Sequence, residues 1–101
     1  MTNILEDLVK IIKSRKQSDT SISYTSKILS GGLDKCIDKM DEEFLELKEA
    51  LKKKENIIHE SADLLYHFLI SLESAGVNFK DVLDELENRK KQSGINEKKN
   101  R

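Results

Sequence analysis

Two short clusters of carboxylates carry the chemistry this sequence offers. Glu42, Glu43 and Glu46 lie in DEEFLE (41–46), and Glu60 and Asp63 lie in HESADLL (59–65). At about 100° per residue, positions three apart share one face of a helix. The second pair sits inside IIHESADLLYHFLI (57–70), an otherwise apolar run, and no Lys or Arg occurs between 55 and 79. Ionised carboxylates in low dielectric need a partner of opposite sign. Oxygen-only ligands suit a hard divalent ion, Mg²⁺ or Mn²⁺. Magnesium keeps waters and shares its shell with phosphate oxygens, so an acidic cleft of this kind reads as a phosphate site reached through metal. The plainer reading of the glutamates alone is a solvated helix face with i,i+4 partners.

These residues need helices to hold them. The chain has no proline, only three valines and no strictly alternating segment, so it reads as all-α with four or five helices. The first helix is expected over Ile4–Lys16, with Asn3 and Glu6 as a capping box. A short helical turn is expected in SYTSKIL (23–29), closed by Gly31–Gly32. The second helix is expected over Leu33–Lys54, where Leu33, Cys36, Ile37, Met40, Phe44, Leu47 and Leu51 recur every three or four residues. Cys36 and Met40 read as core on this stripe. The connection at 54–57 is short enough to force an antiparallel hairpin with a third helix, Ile57–Ala75, ended by Gly76. Asn78 is expected to cap the last helix, Phe79–Lys91.

The hairpin makes the carboxylates neighbours. Lys39, Glu43 and Glu46 share a strip of the second helix, with Glu42 turned further toward solvent. Glu60, Asp63 and His67 share one side of the third, opposite a stripe from Ile58 to Leu72. Four carboxylates, Glu43, Glu46, Glu60 and Asp63, would then converge in one cleft. The third helix is apolar nearly all round, which means burial. Four short helices could barely surround it, so a dimeric bundle of two copies is expected.

Composition bounds the rest. A chain of 101 residues makes one domain, and one core of that size is marginal alone. With 18 Lys plus Arg against 19 Asp plus Glu, no field for nucleic acid dominates. Residues 92–101 are expected to be a basic, flexible tail on a domain of residues 1–91. Cys36 is the only cysteine, which excludes an intrachain disulfide. No apolar run suits a membrane span or a signal peptide, so cytoplasmic residence is expected.

EExxE (42–46) followed by ExxD (60–63) resembles the all-α nucleoside triphosphate pyrophosphohydrolases, the MazG-like superfamily. SYTSKIL (23–29), KMDEEFLE (39–46), ESADLLYHFLISL (60–72) and DVLDELENR (81–89) are similar to the phosphoribosyl-ATP pyrophosphohydrolases of histidine biosynthesis, over roughly residues 5–89. The resemblance implies a helical homodimer and Mg²⁺-dependent cleavage of phosphoribosyl-ATP to phosphoribosyl-AMP and pyrophosphate. It implies Glu43, Glu46, Glu60 and Asp63 as metal ligands, with Glu42 and Glu43 acting on the attacking water. Asp41, Phe44 and Ser61 depart from the glycine and two alanines usual in the family, and none of these changes removes a ligand.

Phosphate-binding cations are expected in Lys39 and Arg15, with Arg89 a weaker candidate. Tyr24 and Thr25, with Ser23, offer hydroxyls to a ribose or phosphate. His67 is expected as a hydrogen-bonded partner rather than a ligand. Two other classes compete. One is a housekeeping (d)NTP pyrophosphohydrolase, and the other is a non-enzymatic dimeric helical module. A di-iron bundle is excluded, because neither histidine has the Glu-x-x-His spacing.

Overall fold

A computed structural model of the chain describes residues 3–21 and 23–91. They form α1 (Ile4–Arg15), α2 (Tyr24–Ser30), α3 (Gly32–Lys53), α4 (Ile57–Ser74) and α5 (Phe79–Lys90), with no strand among the described residues. The all-α expectation holds, and each helix boundary falls within about a residue of the expected one. The proposed tail, residues 92–101, lies outside the described residues.

Local chemistry sets the ends. The Asn3 Oδ1 accepts the Glu6 backbone N–H at 3.2 Å. Glu6 and Asp7 in the first turn of α1, and Lys13 and Arg15 in the last, complement the helix dipole. Ser23 is extended and its Oγ accepts the Ser26 N–H at 3.1 Å, which starts α2. Gly32, at φ +83, redirects the chain into α3. The hairpin turn uses two left-handed residues, Lys54 and Asn56, while the Lys54 and Glu55 N–H groups both donate to the Ala50 carbonyl. Gly76, at φ +74, closes α4, with Val77 N–H donating to Leu72 O and Gly76 N–H to Glu73 O. That pair of bonds is a Schellman ending. Asn78 differs from expectation. It occupies the cap position of α5, but its side chain makes no capping bond and its carbonyl accepts from Asp81 N–H instead.

α3 and α4 pack as an antiparallel pair, and the other helices gather at one end of it. Every helix contributes to the core: Ile12, Ile28, Cys36, Leu69 with Ile70, and Phe79. Glu73, its side chain only 10% exposed, takes Lys13 at 2.9 Å and Lys16 at 3.0 Å, and so ties α1 to α4.

The expectation that α4 is buried all round fails within one chain. Its second half is buried, but Ile58 is 88% exposed and Leu65 51%. Leu33, Ile37, Phe44 and Leu51 are exposed on α3 as well. Ile37, Phe44 and Leu51 recur every seven residues, as do Ile58 and Leu65. Two helical turns separate such positions, so each set forms one strip. Met40 is half-buried rather than core. No described helix is long and apolar enough to cross a membrane.

Candidate active site

The hairpin brings the carboxylates together. Ligand oxygens of Glu43, Glu46 and Glu60 lie within 4.8 Å of one another. Asp63 joins through Glu60, in a second group with His59 whose ligand atoms also lie within 4.8 Å. The four expected ligands therefore share one cleft, but Asp63 is turned toward His59. Its Oδ2 sits 3.3 Å from His59 Nε2. The pairing of His59 with Asp63 was not anticipated in the sequence, although their i,i+4 spacing was the available signal.

Electrostatics in the cleft are those of crowded anions. The Glu43 carboxyl is held above its usual range by burial first, then by Glu46 and Asp63, with His67 opposing. Glu60 is likewise raised, by loss of water first and then by the neighbouring Glu46 carboxyl. The Oε2 atoms of Glu43 and Glu60 are buried with no hydrogen-bond partner. A buried carboxylate oxygen without a donor is costly. A hard cation fits such a set, because it satisfies the orphaned oxygens and relieves the repulsion together. Glu43, Glu46, Glu60 and Asp63 are the residues that would hold it.

Around the cleft, α2 is docked onto α4 by two hydroxyls. Thr25 Oγ1 and Tyr66 OH share a hydrogen bond, and Tyr24 OH lies 2.8 Å from His67 Nε2. His67 Nδ1 is 2.8 Å from the Asp63 carbonyl, which can only accept, so Nδ1 carries the proton. In the neutral ring Nε2 accepts from Tyr24, which leaves the phenol oxygen's lone pairs for another donor. The ring packs edge-on to His67. Burial raises the Tyr24 phenol, and Glu43, Glu42 and Asp63 add to this against Lys39. His67 is thus the hydrogen-bonded partner expected, and Tyr24 stands beside the carboxylates. Thr25 is buried, and its hydroxyl is engaged by Tyr66 rather than presented to the cleft.

Lys39 donates to Glu42 Oε2 at 3.2 Å, and Glu42 is exposed as expected. The other cations are not brought in. Arg15 is exposed at the end of α1, where Lys13 and Lys16 on either side grip Glu73. Arg89 pairs with Glu85 along α5 at 3.1 Å.

A helical hairpin that converges two carboxylate pairs beside a docked SYT turn defines an all-α pyrophosphohydrolase. Residues 5–90 match the family described as PRA-PH, phosphoribosyl-ATP pyrophosphohydrolase. The chain is 45% identical to a phosphoribosyl-ATP pyrophosphatase of Ruegeria pomeroyi, over 95% of this chain and 93% of the relative. It is 43% identical to that of Roseobacter denitrificans, over 96% and 94% of the two chains. With that of Allorhizobium ampelinum the identity is 40%, over 99% and 98%. The chain belongs to the phosphoribosyl-ATP pyrophosphohydrolase family.

Proposed function

We propose that this chain hydrolyses phosphoribosyl-ATP to phosphoribosyl-AMP and pyrophosphate, the step of histidine biosynthesis for which its relatives are named, with Mg²⁺ or Mn²⁺ as cofactor. Family membership supports the reaction. The observation that carries the cofactor is the convergence of Glu43, Glu46, Glu60 and Asp63 with two orphaned buried oxygens.

The step is a hydrolysis of the α–β anhydride. Water oxygen bonds to phosphorus, the bridging P–O bond breaks, and pyrophosphate leaves. A divalent ion supplies charge neutralisation of the polyphosphate and acidifies bound water. The chain does the rest. Glu42 is steadied at the rim by Lys39 and is placed with Glu43 to orient the water and take its proton. Lys39 is the cation within reach of a phosphate oxygen. Tyr24, its proton committed to His67, offers an acceptor to a water or a ribose hydroxyl.

The working form is a homodimer. The exposed strips on α3 and α4 are what a second hairpin would cover, and contiguous apolar faces of this kind mark interfaces. A nucleotide substrate made inside the cell supports a cytoplasmic location. The test is product analysis with phosphoribosyl-ATP beside ATP and dNTPs, in Mg²⁺ and in EDTA. Pyrophosphate and phosphoribosyl-AMP in Mg²⁺ alone are expected. Equal turnover in EDTA would remove the cation, and dNTP preference would replace the substrate.

A further inference from the structure

A second polar concavity has in its wall Tyr24, whose phenol also feels the charges of Glu43, Glu42 and Asp63. Thr20, Ser23, Tyr24, Lys27 and Lys35 are among the residues lining its space of about 590 Å³. The scale suits a sugar phosphate. No carboxylate lines it. Lys27 and Lys35 form no ion pair among the described residues. Asp19, close by in the chain, is folded back on the Ser21 N–H and hydroxyl at 2.9 and 2.8 Å. The Ser23 hydroxyl accepts from Ser26 N–H and keeps its own proton to donate.

Lys35 lies against the corner that joins α2 to α3. Its stem lies across Gly31, where an added Cβ would come within 2.2 Å of Lys35 Cδ. The residue is half-buried, with its methylenes packed against Gly31.

We propose that this concavity is the subsite for the ribosyl 5′-phosphate of the substrate, bound by Lys27 and Lys35. The inference rests on the phosphoribosyl-ATP reading. That substrate is anionic at both ends. Its polyphosphate end goes with a cation to the carboxylates. Its phosphate monoester is disfavoured in that cleft, where four carboxylates repel it and Lys39 and the cation are taken by the polyphosphate. The lysine concavity is the adjoining place with the opposite sign, and two ammonium donors with a hydroxyl fit a phosphate dianion. Such a subsite separates phosphoribosyl-ATP from an ordinary nucleoside triphosphate, because only the former fills it.

The experiment has a binding arm and a kinetic arm. Ribose 5-phosphate is titrated into wild type, Lys27→Gln, Lys27→Gln/Lys35→Gln and Gly31→Ala, followed by NMR shifts. Wild type should bind it. The double variant should lose it, and Gly31→Ala should weaken it by displacing Lys35. In turnover, the double variant should raise KM for phosphoribosyl-ATP about tenfold or more, with kcat within about twofold. Lys27→Gln, on an exposed residue, should show part of the same rise even if the Lys35 change perturbs folding. Lys27→Arg/Lys35→Arg should restore most of the binding. Inhibition by pyrophosphate should not change in any variant. The subsite is overturned if wild type ignores ribose 5-phosphate, if the variants bind it equally, or if pyrophosphate inhibition falls in parallel. Wild type that binds ribose 5-phosphate yet fails to turn over phosphoribosyl-ATP strikes the catalytic reading instead.

Discussion

The two ends of the α3–α4 hairpin share one sequence pattern and meet different fates. At the end where α1, α2 and α5 gather, Cys36, Leu69 and Ile70 are at most 3% exposed. At the turn end, Phe44, Leu51, Ile58 and Leu65 are at least half exposed. Apolar spacing alone does not separate them, because a helix stripe says only that something covers it. The covered end is a core, and the turn end leaves most of its apolar strip exposed. The carboxylates lie along this arm, outside the closed core, yet Glu43 and Glu60 each keep one buried, unpartnered oxygen. Charge that would be costly in the core is tolerable there, and a second copy would tighten the surroundings of the cleft.

The largest contrast between the ends should appear in activity. Glu60→Gln on the arm is expected to lower turnover by about a thousandfold or more while the helices stay folded, since it removes a charge a hard cation requires. Pyrophosphate release and far-UV circular dichroism on the same sample check this. Near wild-type release would make the cluster structural.

Stability should show the reverse contrast. Ile70→Ala at the closed end should cost about 2–5 kcal/mol, the range for a large-to-small change in a filled core. Ile58→Asp on the arm should instead change assembly, converting a dimer to an 11.6 kDa chain with helices retained. Urea denaturation reads the first and light scattering the second. If wild type scatters as a single chain, the arm has another purpose.

Glu73 sharpens the closed end further. Its folded carboxyl is held low by Lys13 and Lys16 despite burial. The stability from this ion pair is therefore present above the ordinary value near 4.5 and is lost as pH falls through the lower folded value. Glu73→Gln should cost about 1 kcal/mol at neutral pH. The gap to wild type should close on acidification, and melts from neutral to strongly acid pH should show the two curves meeting. A gap that persists in acid would point to packing rather than charge.

A comparable effect is expected at Tyr24, which joins α2 to α4. Tyr24→Phe removes the bond to His67 and should cost about 0.5–1.5 kcal/mol of stability. Its kinetic effect should exceed that of Thr25→Val, whose hydroxyl only docks α2 on Tyr66. Parallel kcat and KM values for the two variants decide it. Equal losses would make both hydroxyls merely structural.

Much of this was legible in the residues. The spacing from Cys36 to Leu51 marked α3, the glycine at 76 marked the end of α4, and the absence of Lys and Arg between 55 and 79 singled out Glu60 and Asp63. The short connection at 54–57 placed the two carboxylate pairs opposite each other. Other features depended on packing between helices. Arg15 was a plausible phosphate partner by charge, yet α1 docks through Lys13 and Lys16 and leaves it outside. The lysine concavity was hidden because Lys27 and Lys35 stand on different helices and meet only through the corner at Gly31–Gly32. Asn78 had the right type and backbone for a cap, but its carbonyl rather than its side chain serves α5.

The most direct measurement is a Mn²⁺ titration of wild type and Glu60→Gln, followed by calorimetry and by thermal melts of the same samples. Wild type should bind the ion and rise in Tm with its concentration, by ligand linkage. Glu60→Gln should bind weakly, lose most of that rise, and be no less stable than wild type in EDTA, because a repelling charge has gone. Equal binding and equal shifts in the two proteins would contradict a cation held by the hairpin carboxylates.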